Sequence, residues 1–268
     1  MWLVASVRTP VDGEGAAAAL GKALGLSLAE ARIRLAPEPP AILASLAPEP
    51  AAALVAALRQ AGLAVLALEV AAPSGGLRVM ARTAVLGPLG GTFQARTGAP
   101  VELPWGDVIT LLRGASTVRS ETESTQKSAK FSAATAIATS GLKLSRSVER
   151  TTRSQQEETE QAILLHGRGG QRVVLREREL DFSCLGAAMQ PTRTANMVAL
   201  ARLLKERAPA AFYDERLLRL GRRPLPMFVG GETREQSGGT SQTRLDTSGG
   251  MEVLAELLSR AVEEGLLP

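Results

Sequence analysis

The sequence predicts an α+β protein, in which short strands and a few helices form two folded modules. Short apolar runs bounded by Gly and Pro alternate with Ala-rich helical segments over residues 1–71. Further short strands dominate residues 76–219, and one amphipathic helical segment, residues 194–207, follows them. With 268 residues, of which 45% are hydrophobic, the chain can bury two modest cores.

The first module, residues 1–71, has the predicted order β-α-α-β-α-β. An apolar strand at 2–7 precedes an Ala-rich helix at 15–24, which ends at Gly25. Ser27 and Glu30 have the spacing of a capping box, so a second helix is expected at 28–35. A strand at 41–46, a helix at 51–60 opened by Pro48 and Pro50, and a strand at 63–70 complete the module.

The residues of this module carry a family resemblance. The turn and helix marked by Gly25, Leu26, Leu28, Glu30 and Ala31, with the helix–strand junction at 61–63, resemble the C-terminal domain of the bacterial ribosomal stalk protein. The same stretch more loosely resembles the protease adaptor ClpS. The resemblance implies a small α+β sandwich that binds other proteins without catalysis. The stalk domain's first long helix is rich in Lys, whereas this chain has only Lys22 there, so translation-factor binding is not expected to carry over.

The second module, residues 76–219, is predicted to contain several strands followed by one helix. Strands are expected at 77–86 and 92–97, and a hairpin over 162–176 turns at Gly167 to Gly170. This order predicts a half-open barrel plugged by the helix at 194–207. The sequence segment around Pro104, Trp105 and Asp107 resembles segments found in bacterial pleckstrin-homology-like domains. That resemblance implies a β-barrel capped by a C-terminal helix, a fold that serves lipid, peptide and structural roles alike.

A long polar insertion, residues 117–160, interrupts the second module. Its ends are dense in Ser, Thr, Glu and Arg, and are expected to be flexible or to form a long exposed β-hairpin. Its centre is a small-residue apolar patch flanked by lysines, which could be a membrane-surface or partner-bound helix, or a self-association strand. The candidate interaction residues here are Lys127, Lys130, Phe131, Ile137, Leu142, Lys143 and Leu144.

The tail is predicted to be a flexible linker, residues 220–249, ending in an amphipathic helix, residues 250–268. Gly, Ser, Thr and Gln dominate the linker. The helix has an apolar stripe that must dock somewhere, because an isolated helix of this length is marginal in water. Docking on its own barrel and docking in another chain both remain open. The candidate contact residues are Val253, Leu254, Leu257 and Leu258.

Side chains suited to catalysis are scarce. The chain has one His, one Cys and one Tyr, so we expect no catalytic residues, no bound metal and no cofactor. His166 is expected at a surface or strand edge, Cys184 as a small buried hydrophobe, and Trp105 as a core residue. Arg168, Arg172 and Arg176 form a candidate anion patch, although the interleaved Glu177 and Glu179 favour a solvated face of mixed charge.

These features together favour a non-enzymatic bacterial scaffold or adaptor that works in the cytoplasm through protein–protein contacts, with self-association as one form of them. One alternative is a peripheral membrane protein that binds anionic lipid through the insertion and the Arg hairpin. Another is a nucleic-acid-associated protein, because the pI is near 9.7, although the net charge of +4 is mild and its signs alternate. The N-terminus lacks the basic and apolar pattern of a signal peptide.

Overall fold

The computed structural model describes residues 1–70, 78–131, 145–219, 231–237 and 240–268. The chain divides into two compact units. The first, which we call the main unit, contains Met1–Ser116, Glu160–Pro224 and Gly250–Pro268. The second, the strand unit, contains Thr117–Thr159 and Leu225–Gly249. The strand unit therefore includes nearly all of the polar insertion predicted at 117–160, together with part of the predicted linker.

The first 70 residues have the predicted element order β-α-α-β-α-β. Their strands form one antiparallel sheet in which the first strand lies between the other two. The elements are β1 (Trp2–Ser6), α1 (Gly13–Leu24), α2 (Leu28–Leu35), β2 (Ala41–Leu46), α3 (Pro48–Gln60) and β3 (Val65–Glu69).

Local sequence signals explain the helix boundaries in this region. The Ser27 backbone N–H donates to Glu30 Oε2 at 2.9 Å, and the Glu30 backbone N–H donates to Ser27 Oγ, so the capping box is formed. Gly25 ends α1 in the left-handed conformation, with φ of 67°. Pro48 begins α3, because its missing N–H would have no partner in the first turn of a helix.

Both faces of the first sheet are buried. Val4 and Val65 pack with α1 and α3 in one hydrophobic core. Leu3 and Leu66 have the opposite strand parity, so they point to the other face, and they are also fully buried. A free-standing stalk-like domain with helices on one face would leave the second face in water. Residues 1–70 are therefore an integral part of the main unit.

The rest of the chain contributes ten strands, two α-helices and two short 3₁₀ helices to the described residues. The first part comprises β4 (Arg78–Ala81), β5 (Thr83–Leu86), β6 (Gly90–Gln94), β7 (Val101–Pro104), a 3₁₀ helix at Trp105–Asp107, β8 (Val108–Phe131) and β9 (Ser145–Gly167). The second part comprises β10 (Arg172–Arg176), a 3₁₀ helix at Phe182–Ala188, α4 (Arg193–Arg207), β11 (Phe212–Leu217), β12 (Gly231–Ser237), β13 (Thr240–Asp246) and α5 (Ser248–Glu263).

The main unit contains open sheets instead of the expected barrel. Strands β5, β6 and β7 form a separate antiparallel sheet. In the larger sheet the order is β11-β8-β9-β10-β4, and its pairs β10–β4 and β11–β8 are parallel. The prediction of a β-barrel was wrong for the residues that the structure describes, because the outer strands of the larger sheet do not pair with each other to close it.

Two helices cover opposite faces of this larger sheet. Val173 and Leu175 of β10 share a core with Met197, Leu200 and Leu204 of α4. Arg172 and Arg176 have the opposite parity and form ion pairs with glutamates of α5. The predicted helix at 194–207 thus packs on the sheet as expected, and the tail helix covers the other side.

Candidate functional site

The strand unit is dominated by two long strands, β8 and β9. Within it, Thr117 Oγ1 lies 3.4 Å from Thr159 Oγ1, and the Arg119 guanidinium donates to Glu157 Oε2 at 2.7 Å. These contacts belong to one antiparallel register. At about 3.3 Å per residue, the part of β8 from Thr117 to Phe131 extends for roughly 50 Å. Strand β13 pairs with β8 from Val118 to Ser124, and β12 pairs with β13.

Apart from Val118 and Leu245, the described side chains of this sheet are polar, and all of them are exposed or half-buried. Arg119 and Glu157 form an ion pair, and their side chains are 58% and 52% exposed. Arg153 and Glu121 form a second pair, which lowers the pKa of the Glu121 carboxyl through the hydrogen bond from the guanidinium. None of the buried apolar residues found in the described part of the chain belongs to the strand unit. Because exposed ion pairs contribute little, backbone pairing holds this sheet together.

Among the described strands, the sheet of the strand unit has open edges. Strand β12 is the last strand on one side, and beyond Ser124 the β8 strand pairs only with β9 among the described strands. An unpaired strand edge presents a row of backbone donors and acceptors that can pair with another chain. A two-stranded ribbon is also marginally stable by itself. The described part of this unit therefore offers backbone hydrogen-bonding groups and a polar surface to a partner.

The structure describes the predicted insertion residues only in part. Lys127, Lys130 and Phe131 belong to β8, and their side chains lie outside the described part. Ile137, Leu142, Lys143 and Leu144 fall in 132–144, outside the described residues. The two long strands on either side agree with the hairpin alternative for the insertion. The flexible linker expected at 220–249 was wrong for 231–237 and 240–246, because β8 gives this Ser- and Thr-rich segment a strand edge to pair with.

The tail helix docks on its own chain. Leu254, Leu257 and Leu258, which were predicted as contacts, are at most 1% exposed, whereas Val253 is half-buried. A Cβ added at Gly114 of β8 would lie 2.6 Å from Met251 Sδ, so the helix packs closely on that strand. Docking in another chain was thus the wrong alternative for these leucines, since the main unit already buries the stripe.

Two glutamates of the same helix form ion pairs with arginines of the predicted anion patch. The Arg172 guanidinium donates to Glu256 Oε1 at 2.5 Å, and Arg176 lies 3.9 Å from Glu252. Glu252 also accepts two hydrogen bonds from Arg78, at 2.7 and 2.8 Å. Arg168 is exposed in the hairpin turn. Carboxylates spaced four residues apart on α5 thus pair with Arg172 and Arg176, and anion binding by this patch stays a prediction.

His166 is buried, contrary to the expected surface position. It is 7% exposed, and its Nδ1 lies 3.2 Å from Thr110 Oγ1 on the neighbouring strand. Burial, and next the nearby Arg172 charge, lower the pKa of His166 to about 4. The ring is therefore neutral at pH 7. Next to it, Oε1 of Gln171 is buried and has no hydrogen-bond partner among the described residues.

Trp105 lies in the hydrophobic core as expected, and Cys184 packs against that core. Trp105 is 5% exposed in the main core, and its indole N–H donates to the Gly87 carbonyl at 3.0 Å. Cys184 is partly buried against the same core, and burial raises the pKa of its thiol. A thiol with a raised pKa forms less thiolate, so Cys184 is a poor nucleophile.

Sequence reasoning missed a polar network around the buried side chain of Arg113. Arg113 of β8 is 8% exposed and donates to Glu215 at 2.7 Å and to Gln161 at 3.1 Å. The Tyr213 hydroxyl donates to the same Glu215 carboxylate, and Lys205 lies 4.3 Å from the centre of the Tyr213 ring. The hydroxyl first, and Arg113 next, lower the pKa of Glu215. In the sequence, this network was indicated only by Arg113, a charged residue within an apolar strand.

Neither a metal centre nor a membrane span is found in the described residues. No group of three His, Cys, Asp or Glu side chains within them could hold a metal ion. None of the helices described is long and apolar enough to cross a bilayer. Comparison of the chain with known proteins gave no match to a family model, a curated protein or a solved structure.

Proposed function

We propose that the protein is a non-enzymatic adaptor that binds a protein partner through the sheet of the strand unit, and that it acts in the cytoplasm. One observation carries the proposal. In the described residues, this antiparallel sheet buries no apolar side chain and leaves strand edges open. A sheet normally gains its stability by burying one face, so a sheet without a core gains most from a partner that pairs with it.

Two further features support this proposal. The order β-α-α-β-α-β in residues 1–70, with the resemblance to the ribosomal stalk domain, favours a protein-binding fold without catalysis. The strand unit also carries balanced charges on its described face, in the pairs Arg119–Glu157 and Arg153–Glu121. Balanced charge suits a protein partner better than nucleic acid or anionic lipid, each of which requires an excess of cations.

Site-specific photo-crosslinking in native cells tests the proposal. A photoreactive amino acid is placed at Gln155 or Gln156, which lie on opposite faces of β9, and at the exposed main-unit positions Ile33 and Val85. We expect discrete adducts heavier than the chain from the β9 positions and none from Ile33 or Val85. Adducts only from the main-unit positions, or none from β9, would contradict the proposal.

Sedimentation with liposomes tests the alternative that the protein binds membranes. The full chain is sedimented with vesicles of anionic lipid at low salt and at physiological salt. We expect no co-sedimentation, because Arg172 and Arg176 already form ion pairs with glutamates of α5. Binding that is lost when residues 132–144 are replaced by a Gly/Ser segment of equal length would instead assign a membrane role to that segment.

A further inference from the structure

The outer edge of β9 is open along the strand unit. Among the described strands, β9 pairs with β10 only through residues 162–166, so residues 145–160 have β8 on one side and no strand on the other. The side chains along this edge from Arg153 to Thr159 are exposed or half-buried. An open edge of this kind can accept a further antiparallel strand from another chain.

The backbone of β9 determines which residues can pair at this edge. Gln161 directs both of its backbone groups away from β8, because its N–H donates to Glu177 Oε2 at 3.1 Å and its carbonyl accepts from the Glu177 N–H at 2.9 Å. Backbone groups alternate sides along a strand, so the odd-numbered residues from 151 to 159 direct theirs to the same open side. A second copy of β9 that pairs here must therefore place its own odd-numbered residues opposite them.

The charges of residues 145–160 are divided between two halves of the strand. Three arginines and one glutamate precede Gln155, and three glutamates follow it. In chain order, the charged residues are Arg146, Glu149, Arg150, Arg153, Glu157, Glu158 and Glu160. Two antiparallel copies of such a strand place the mainly basic half of each against the acidic half of the other.

Charge and backbone direction select the same register. When Gln155 lies opposite Gln155 of the second copy, Arg153 faces Glu157 and Arg150 faces Glu160, and the two-fold symmetry repeats both pairs. Odd-numbered residues then face each other, as the backbone requires. No other symmetric antiparallel register of 145–160 with this parity places two different Arg–Glu pairs in opposition, and several place like charges opposite each other.

The side chains of Arg153 and Glu157 are accessible to such a partner. Their exposed fractions are 64% and 52%, although each also pairs with a residue of β8, namely Glu121 and Arg119. A guanidinium and a carboxylate each have enough donors or acceptors to serve neighbours on both sides. We propose that the protein forms a two-fold symmetric homodimer through the outer edges of β9, with Gln155 on the symmetry axis. This homodimer rests on the proposed function, since it assigns a second copy of the chain to the strand unit as a partner.

Disulfide trapping in the full chain tests the register. Cys184→Ala removes the only cysteine, and one cysteine is then placed at Ser154, Gln155 or Gln156. Facing residues of a hydrogen-bonded antiparallel pair have Cα atoms about 5.5 Å apart, which a disulfide can bridge, whereas diagonal neighbours are too distant. Gln155→Cys should therefore form a covalent dimer under mild oxidation. Ser154→Cys and Gln156→Cys should crosslink only when they are mixed with each other, and equal crosslinking of all three variants alone, or none at Gln155, would overturn the proposal.

Sedimentation equilibrium of charge-reversed variants tests the ion pairs. Arg153→Glu and Glu157→Arg each place like charges opposite each other twice in the dimer, so each should weaken dimerisation about tenfold or more. The double variant restores opposite charges between the copies and should dimerise like the wild type, although it reverses both pairs with β8 within each copy. A double variant that dimerises more weakly than either single variant would contradict the proposed register.

The homodimer and the proposed function fail in different ways. Photo-crosslinking at Gln155 should give an adduct of twice the chain's mass that contains only this protein. A wild-type chain that sediments as a monomer at every concentration would overturn the homodimer. In that case, β9 adducts that contain a different protein would leave the proposed function intact, whereas the absence of any β9 adduct would contradict both.

Discussion

At the scale of single residues, His166 shows how far burial changes a side chain's chemistry. In the sequence it stands beside a Gly-rich turn, which favours an exposed position. In the structure the turn folds against the end of α5, since His166, Gln171, Glu256 and Ser259 line one small cavity. The ring is neutral because a charged imidazole would lose its hydration and face Arg172.

This burial predicts a pH dependence of stability. The pKa of His166 is about 4 in the folded chain and about 6.5 when unfolded, so the unfolded chain binds the additional proton between these values. The free energy of unfolding should therefore fall as the pH drops from 6.5 towards 4, by about 3 kcal/mol at most from this residue. Urea titrations monitored by circular dichroism at several pH values measure the change.

A matched variant separates the contribution of His166 to the pH dependence of stability from the contribution of the carboxylates. His166→Gln keeps a hydrogen-bonding side chain beside Thr110 but does not titrate. Its stability should vary less with pH than that of the wild type between pH 6.5 and 4, and similarly at lower pH. Parallel pH profiles for the two proteins would show that His166 is accessible to protons in the folded state.

At the scale of secondary-structure elements, α5 is the most informative. Its apolar stripe was visible in the sequence, and so was its need to dock. The docking surface could not be predicted, because Arg78 and Arg172, which pair with its glutamates, are distant in sequence. The sequence of β10 did indicate that this strand is covered on both faces. Its central residues are apolar at both parities, which is typical of such a strand.

Leu258→Ala tests whether α5 is a structural part of the main unit. The side chain is fully buried, so its truncation should lower the free energy of unfolding by about 2–5 kcal/mol. Val253→Ala is the control, since Val253 lies on the same helix but is half-buried and should cost about 1 kcal/mol or less. Equal small effects at both positions, measured by urea titration, would indicate that α5 is not docked in solution.

Element boundaries in the first 70 residues could be predicted because local chemistry specifies them. The Ser27–Glu30 capping box and Pro48 act within a few residues of chain, so no tertiary contact was needed. The strands at 231–246 were missed for the opposite reason. Apart from three threonines and Leu245, their residues have no strong intrinsic preference for strands, and they pair because β8, more than a hundred residues earlier, supplies an edge.

At the scale of the whole molecule, the chain leaves the main unit twice to build the strand unit. The first excursion is Thr117–Thr159, and the second is Leu225–Gly249, after which α5 rejoins the main unit. The composition of the insertion predicted exposure, but it did not predict that the second excursion would join the same sheet. The open edges, on which the proposed function depends, follow from that pairing.

Shortening the hairpin should leave the main unit intact. In the shortened variant, residues 123–153 are replaced by an Asn-Gly turn between Thr122 and Ser154, which lie opposite each other in the register set by Arg119 and Glu157. The described strand unit buries no apolar side chain, so the free energy of unfolding should change by about 0.5 kcal/mol or less. A larger loss, measured by urea titration, would show that the main unit needs the hairpin.

Quantitative affinity capture from native cells tests whether the protein binds a partner through the strand unit. The full chain, the shortened variant, and a variant with 132–144 replaced by an equally long Gly/Ser segment are compared by mass spectrometry. We expect the full chain and the Gly/Ser variant to retain the same partner, and the shortened variant to recover about tenfold less of it or lower. Equal recovery of that partner by the shortened variant would contradict binding through the part of the two long strands that the variant lacks, residues 123–153.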